Sequence, residues 1–283
     1  MKPPLPHPFL AAEHGPPPGV RGVPDLSDAD ALILGLAADG GVSFRPGAVH
    51  APAAIREFSD SIETWSPRAQ RDLEDLRIVD LGDHDERESV EKVVAEVLDG
   101  AGDLPLLLSI GGDHSVTPPA VRAVAARREG IAVVGFDAHL DLREDYPGDH
   151  ACTYRRIADG GVPCFVFGPR SGARSEWQDV PKVLSYCAPS LVMPSEVRAQ
   201  LEGRPVYVTL DIDVLDPAAA PGTGNPEAGG PGFDELLEAL EAIADLDIVA
   251  CDVVEVSPPL DPSGITQAAA AILVREMLLR FTA

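Results

Sequence analysis

Short apolar runs rich in β-branched residues alternate along this chain with amphipathic stretches, and that alternation leaves few folds open. The runs cover residues 31–37, 76–80, 104–110, 131–137, 164–167, 206–213 and 248–256. Each has the length of a strand, and near-continuous hydrophobicity is what strands covered on both faces require. Between them, residues 87–98, 118–128, 233–244 and 266–279 repeat apolar side chains at three- and four-residue spacing, the signature of helices with one buried face. Such alternation predicts a three-layer α/β/α architecture around a mainly parallel central sheet. With aromatics at only 5%, the core must be built from Ala, Val, Leu and Ile, which suits helices packed closely on a sheet.

Residues 1–24 break the pattern. They are crowded with proline and glycine, including Pro16, Pro17 and Pro18, so they read as an extended arm, with the folded domain beginning near Asp25 and running to residue 283. No internal repeat or linker divides that stretch. The formal charge of -24 repels phosphate backbones and anionic bilayers, so neither nucleic acid nor membrane is expected as a partner. The only lysines are Lys2, Lys92 and Lys182, which makes a Lys-poor composition the simpler source of that charge. Cys152, Cys164, Cys187 and Cys251 are widely spaced and form no Cys-x-x-Cys pair, which fits reduced thiols in a cytoplasm. No apolar run approaches the ~20 residues that span a bilayer.

In an open parallel sheet, ligands bind beyond the carboxyl ends of the strands. Three runs end in candidate metal ligands. The first leads into Gly111-Gly112-Asp113-His114-Ser115, the second into Asp137-Ala138-His139-Leu140-Asp141, and the third into Asp211-Ile212-Asp213. Alternate residues of extended chain face one way, so Asp137, His139 and Asp141 project together, as do Asp211 and Asp213. A strand-end Asp is more often a turn former or helix cap than a ligand, and any one of these taken alone would be read so. Together they are different. Carboxylates gathered in one pocket resist ionising together, and bound cations relieve that. Asp oxygens with His114 and His139 make a set harder than structural zinc sites and too rich for one ion, which points to two Mn²⁺.

These residues resemble the ureohydrolases, the family of arginases and agmatinases. The resemblance rests on Gly41-Val42-Ser43-Phe44-Arg45-Pro46-Gly47 with Ala53-Ala54-Ile55-Arg56, on the three segments just described, on Val214-Leu215-Asp216-Pro217 with Pro221-Gly222-Thr223-Gly224, and on Asp252-Val253-Val254-Glu255-Val256-Ser257-Pro258. It implies an arginase-like fold and a binuclear manganese enzyme, with two Mn²⁺ per subunit, that hydrolyses a guanidino group to urea and an amine. It carries His114, Asp137, His139, Asp141, Asp211 and Asp213 over as metal ligands, and His150, Glu255 and Asp141 as the residues of the chemistry. Two ions bridging one water would lower its pKa enough to supply hydroxide near neutral pH. Glu255 would pair with the guanidinium, whose fork of N–H donors fits a carboxylate. His150 would pass a proton to the leaving amine. Homo-oligomers, trimers or hexamers, are the family's expectation, with the Ala-rich C-terminal helix and the N-terminal arm as contacts.

The substrate is read from the loop after Asp141. The Asn and Ser donors with which arginases hold an α-amino acid are missing, and residues 142–149 carry Glu144, Asp145 and Asp149 against Arg143. An acidic loop tolerates an ammonium tail better than a carboxylate, so the expected reaction is agmatine to putrescine and urea. Arg143 argues for the rival, a guanidino acid such as 4-guanidinobutyrate, unless it is paired within the fold. The short loop and Pro262 depart from the family pattern. Zinc deacetylases share the fold but need a paired-histidine motif that is absent here. A metal-stabilised scaffold or regulatory subunit would be marked by loss of a ligand, of His150 or of Glu255, and each is present.

Overall fold

The computed structural model describes residues 7–15, 26, 28–85, 89–101, 105–144 and 149–282. The prolines 16–18 of the arm, residues 87 and 104 of the expected elements and the loop tip 145–148 lie outside the described residues. The central sheet contains β1 (Glu13–His14), β2 (Ala31–Leu36), β5 (Ile78–His84), β6 (Leu106–Gly111), β7 (Ala132–Phe136), β8 (Cys164–Phe167), β9 (Tyr186–Ala188), β10 (Pro205–Asp211) and β11 (Asp247–Val254). A short antiparallel pair, β3 (Trp65–Ser66) and β4 (Arg71–Asp72), stands apart. The sheet order is β1-β5-β2-β6-β11-β10-β7-β8-β9, and every pairing in it is parallel.

Helices cover both faces. They are α1 (Ala51–Ser59), α2 (Val90–Gly100), α3 (Thr117–Ala125), α4 (Thr153–Asp159), α5 (Arg174–Val183), α6 (Ser195–Leu201), α7 (Phe233–Ala242) and α8 (Ile265–Phe281). The strand period of two sends neighbouring side chains to opposite cores. Ile33, Leu108, Val134 and Val208 pack with α1, α6, α7 and α8, whereas Leu32, Leu107, Val133 and Tyr207 pack with α2, α3 and α4. The three-layer expectation therefore holds. Helix α8 is buried on most sides, from Ala270 through Leu279, in the core of its own chain. No helix among the described residues is long and apolar enough to cross a membrane.

The expected start of the fold near Asp25 needs correcting. β1 pairs with β5, Gly15 N–H donates to Asp80 O at 2.8 Å, and Phe9 is only 1% exposed. The physical reason is the edge of β5, whose free backbone groups accept the short segment while Phe9 buries in the core below. Phe9 N–H also donates to Asp80 Oδ2 at 2.9 Å. That same carboxylate takes Nε and Nη2 of the fully buried Arg56 at 2.7 and 2.9 Å, and Arg56 Nη1 reaches Asp83. A bidentate pair of this kind satisfies two charges out of water at once.

One feature of the register sets the position of everything that follows. Ile110 pairs with Val253, Val253 with Leu210, and Leu210 with Phe136, so a single rung crosses β6, β11, β10 and β7. The chain leaves those four strands level, at the centre of the sheet. Asp211 and Asp137 are the next residues after that rung, and Glu255 and His114 follow within its next few positions.

Candidate functional site

The turn after β6 is tight. A Cβ on Gly112 would sit 1.6 Å from Ala38 O, so only glycine fits between the two backbones. Asp113 then takes the Ser115 N–H at 2.9 Å with one oxygen and the Gly41 N–H at 2.7 Å with the other, which is the capping role expected of a strand-end Asp. The next residue turns inward. His114 is fully buried, with Nδ1 at 3.2 Å from Asp137 Oδ2, 3.4 Å from Asp141 Oδ2 and 3.3 Å from Asp211 Oδ2.

On the other side of Asp137, His139 Nδ1 lies 2.9 Å from Asp213 Oδ2 and 3.7 Å from Asp137 Oδ1. Two ligand groups result, His114 with Asp137 and Asp141, and Asp137 with His139 and Asp213. Asp137 belongs to both. Asp211 Oδ1 accepts the Asp213 N–H at 2.8 Å, which leaves its Oδ2 toward His114. Arg170, to which the sequence assigned no role, braces this corner by donating to Asp213 O and Glu227 O at 3.0 and 2.8 Å.

The electrostatics are those of a site built for cations. Burial and the charge of Asp141 push the Asp137 carboxyl up to about 7. Burial, with Asp213 and Asp137, holds Asp211 well above the usual carboxylate range. Burial opposes charge on the histidines, yet Asp213 and Asp137 lift His139 to about 11, and Asp137, Asp141 and Asp211 raise His114 well above its ordinary value. His139 in turn draws Asp213 down against burial. Without cations, so many acids coexist only by holding protons. Among the described residues, His114 Nδ1 and Asp137 Oδ2 are buried with no hydrogen-bond partner. Buried polar atoms are rarely left so, and here both belong to one ligand group. The donor set, carboxylate oxygens with two imidazole nitrogens, fits hard to borderline divalent metals.

Next to this cluster His150 Nδ1 stands 2.8 Å from Glu255 Oε1, and the same oxygen accepts the His114 N–H at 2.8 Å. Burial opposes charge on His150, but Glu255 outweighs it and raises the ring to about 9. On the far side, Nε2 meets Ser43 Oγ at 2.7 Å. Ser43 sits in a segment that the sequence singled out, but nothing in the pattern placed it beside a histidine 107 positions away. Two non-glycine residues of the site have left-handed backbones, Asp141 with φ 47 and Glu255 with φ 63. Such conformations cost about 1–3 kcal/mol each and are kept where the surroundings impose them.

The cluster opens into a cavity of about 360 Å³ lined in part by Ser43, His139, Asp141, Arg143, His150, Glu176 and Asn225. His114, Asp137 and Glu255 lie deeper, each less than a tenth exposed. Arg143 Nε is 3.7 Å from Glu176 Oε2 and its side chain is 49% exposed. Glu144 pairs with Arg155. Glu176 was not foreseen as a wall residue. His84, at the end of β5, does not line the cavity and bonds Ser89 Oγ at 2.8 Å.

The model of the Arginase family matches residues 29–279 of the chain. An agmatinase of Bacillus anthracis is 41% identical over 277 residues, covering 92% of this chain and 94% of its own. The human mitochondrial guanidino acid hydrolase is 36% identical, covering 88% and 77%. Among solved structures, proclavaminate amidino hydrolase from Streptomyces clavuligerus superposes with a TM-score of 0.84 at 31% identity, over 97% of this chain and 96% of that one.

Proposed function

The chain belongs to the arginase family and is a ureohydrolase, and from that premise we propose that it uses two Mn²⁺ to cleave agmatine into putrescine and urea. The observation that carries the reading is the sharing of Asp137 between two ligand groups beside the His150–Glu255 pair. His114, Asp137, Asp141 and Asp211 would hold one ion, and Asp137, His139, Asp211 and Asp213 the other. When bound, the pair of ions supplies a water acidified enough to attack the guanidinium carbon near neutral pH.

The remaining steps fall to side chains. Glu255 is buried at 4% exposure, where a guanidinium would find a carboxylate undimmed by solvent, and the planar fork of N–H donors would be oriented by it. His150 holds a proton at neutral pH because of Glu255, to which its Nδ1 is committed; its Nε2 accepts the Ser43 N–H at 3.1 Å, and that contact would have to give way for Nε2 to carry a proton to the leaving amine. Asp141, on the cavity wall, would keep the attacking water and the substrate carbon in line.

Agmatine carries a positive tail, and the chain's net charge of -24 favours its approach. Glu176 adds a negative charge to the cavity wall, its oxygens accepting the Leu142 and Ala173 N–H groups at 3.0 and 2.7 Å with Arg143 3.7 Å away. One observation favours a second reading: half-exposed Arg143 lines the same cavity and would suit a guanidino acid. The test is urea release by Mn²⁺-loaded protein offered agmatine, arginine, 4-guanidinobutyrate and 3-guanidinopropionate in turn, with metal content measured on the same sample. Preference for agmatine is expected. Preference for a guanidino acid would move the assignment to Arg143, and no urea from any of them would overturn the activity.

We further infer a homo-oligomer, trimer or hexamer, from the family resemblance, and a cytoplasmic location from the four cysteines, none of which is in a disulfide among the described residues.

A further inference from the structure

Behind the metal-facing side of His114 lies a polar cluster that the reaction does not use. Tyr207, Thr209 and Asp211 share one face of β10, since they occupy alternate positions, and Thr209 is the register partner of Asp252 on β11. Asp252 is fully buried, with no cation against it among the described residues. Instead it collects three hydroxyls. Thr117 Oγ1 from α3 and Tyr207 Oη each reach Oδ2 at 2.8 Å, and Thr209 Oγ1 reaches Oδ1 at 2.6 Å. Thr209 Oγ1 also stands 2.9 Å from His114 Nε2.

A hydroxyl has one proton, and an oxygen–oxygen contact of 2.6 Å needs a proton in it. The carboxylate offers acceptors only, so Thr209 spends its proton on Asp252 and faces His114 with a lone pair. His114 must then carry its own proton on Nε2. Of the two protons that the surrounding carboxylates hold on the ring, the one a metal displaces is then that of Nδ1, the nitrogen facing Asp137, Asp141 and Asp211. The edge-on ring of Tyr154, 5.5 Å away at 87°, fixes the plane of the imidazole, and Asp252 settles which nitrogen is available.

We propose that Thr209 and Asp252 are positioning residues that lock His114 into the tautomer able to bind a metal through Nδ1. The inference rests on the two-metal reading above and adds what prepares the ligand. If Asp252 merely filled the interior, its replacement would alter stability without singling out one ion. If it sets the tautomer, Asp252→Asn, whose amide no longer accepts from every hydroxyl, frees the Thr209 proton to turn toward His114 and drives the imidazole to the wrong form.

The experiment is a calorimetric titration of metal-stripped full-length protein with MnCl₂, with electron paramagnetic resonance of the loaded samples, for wild type, Thr209→Val, Thr209→Ser and Asp252→Asn. Thermal melting of the stripped proteins is recorded alongside. The expected result is that Thr209→Val and Asp252→Asn weaken one of two Mn²⁺ by about 10–100-fold and lose the spin-coupled signal of a pair, while Thr209→Ser behaves as wild type. Wild-type affinity for both ions in Thr209→Val and Asp252→Asn would overturn the proposal, as would equal weakening of both ions. A wild-type protein that binds no Mn²⁺ pair would overturn the two-metal reading itself, and this inference with it.

Discussion

Glu255 Oε1 accepts from His150 Nδ1 and from the His114 backbone N–H at the same distance, 2.8 Å, so one oxygen ties the proton donor to the turn that holds a metal ligand. Because Glu255 lifts His150 to about 9, the ring is charged at neutral pH and becomes neutral only above that value. An acid is useful only while it holds its proton. The kcat should therefore hold through neutral pH and fall as pH rises through about 9, and His150→Asn should remove that alkaline limb while lowering kcat by about 10²–10⁴-fold. A pH–rate profile of both proteins checks this; an unchanged limb in the variant would assign it to another group.

Metal uptake should release protons. In the absence of cations Asp137 titrates at about 7 and His139 at about 11, so both hold protons at or near neutrality that a metal must displace. The sign follows directly: fewer bound protons mean less competition, so Mn²⁺ affinity rises as pH rises through 7. Calorimetry in two buffers of different ionisation enthalpy measures the released protons, and equal heats in both would contradict the expectation.

Asp137→Ala and Asp213→Ala remove ligands of one or both groups, and each should lose at least one metal and nearly all urea production. His84→Ala serves as the matched control, because His84 does not line the cavity and its ring bonds Ser89. Metal analysis and urea assay of the three variants decide the matter. Full metal content and activity in both aspartate variants would refute the shared-ligand site.

Arg56→Ala should destabilise the protein by about 3–5 kcal/mol, since it strands the buried Asp80 carboxylate without its bidentate partner. Urea denaturation of the metal-stripped protein measures the change apart from any metal contribution. A loss under about 1 kcal/mol, the range of a surface pair, would show that Phe9 N–H and the neighbouring backbone suffice for Asp80.

The strands carrying the site were legible because their apolar runs end abruptly in Asp and His, a local contrast that survives without knowledge of the fold. His114, Asp137 and Asp211 could be picked out in that way. Their convergence could not be read from pattern alone, because β6, β11, β10 and β7 are neighbours only through pairings between distant segments. The same reason hid Ser43, Thr209 and Asp252, whose partners lie 107, 95 and 135 positions away in the respective contacts. Short elements escaped for a different reason. β1 has two residues and β9 three, too few for a period of two to register, and α5 carries Pro181 inside it. Phe9, set among prolines, gave no sign that the edge of β5 would bury it.

The rung from Ile110 to Phe136 divides labour within the molecule. The turns directly after the central strands supply the groups that hold metal, while Arg143, Gly172, Ala173 and Asn225 of the cavity wall lie in loops farther along the chain. Substitutions in those loops can reshape the space around a substrate's tail and leave the reacting end untouched. A chain built in this way can acquire a new preference in small inherited steps, each tested by selection while hydrolysis continues.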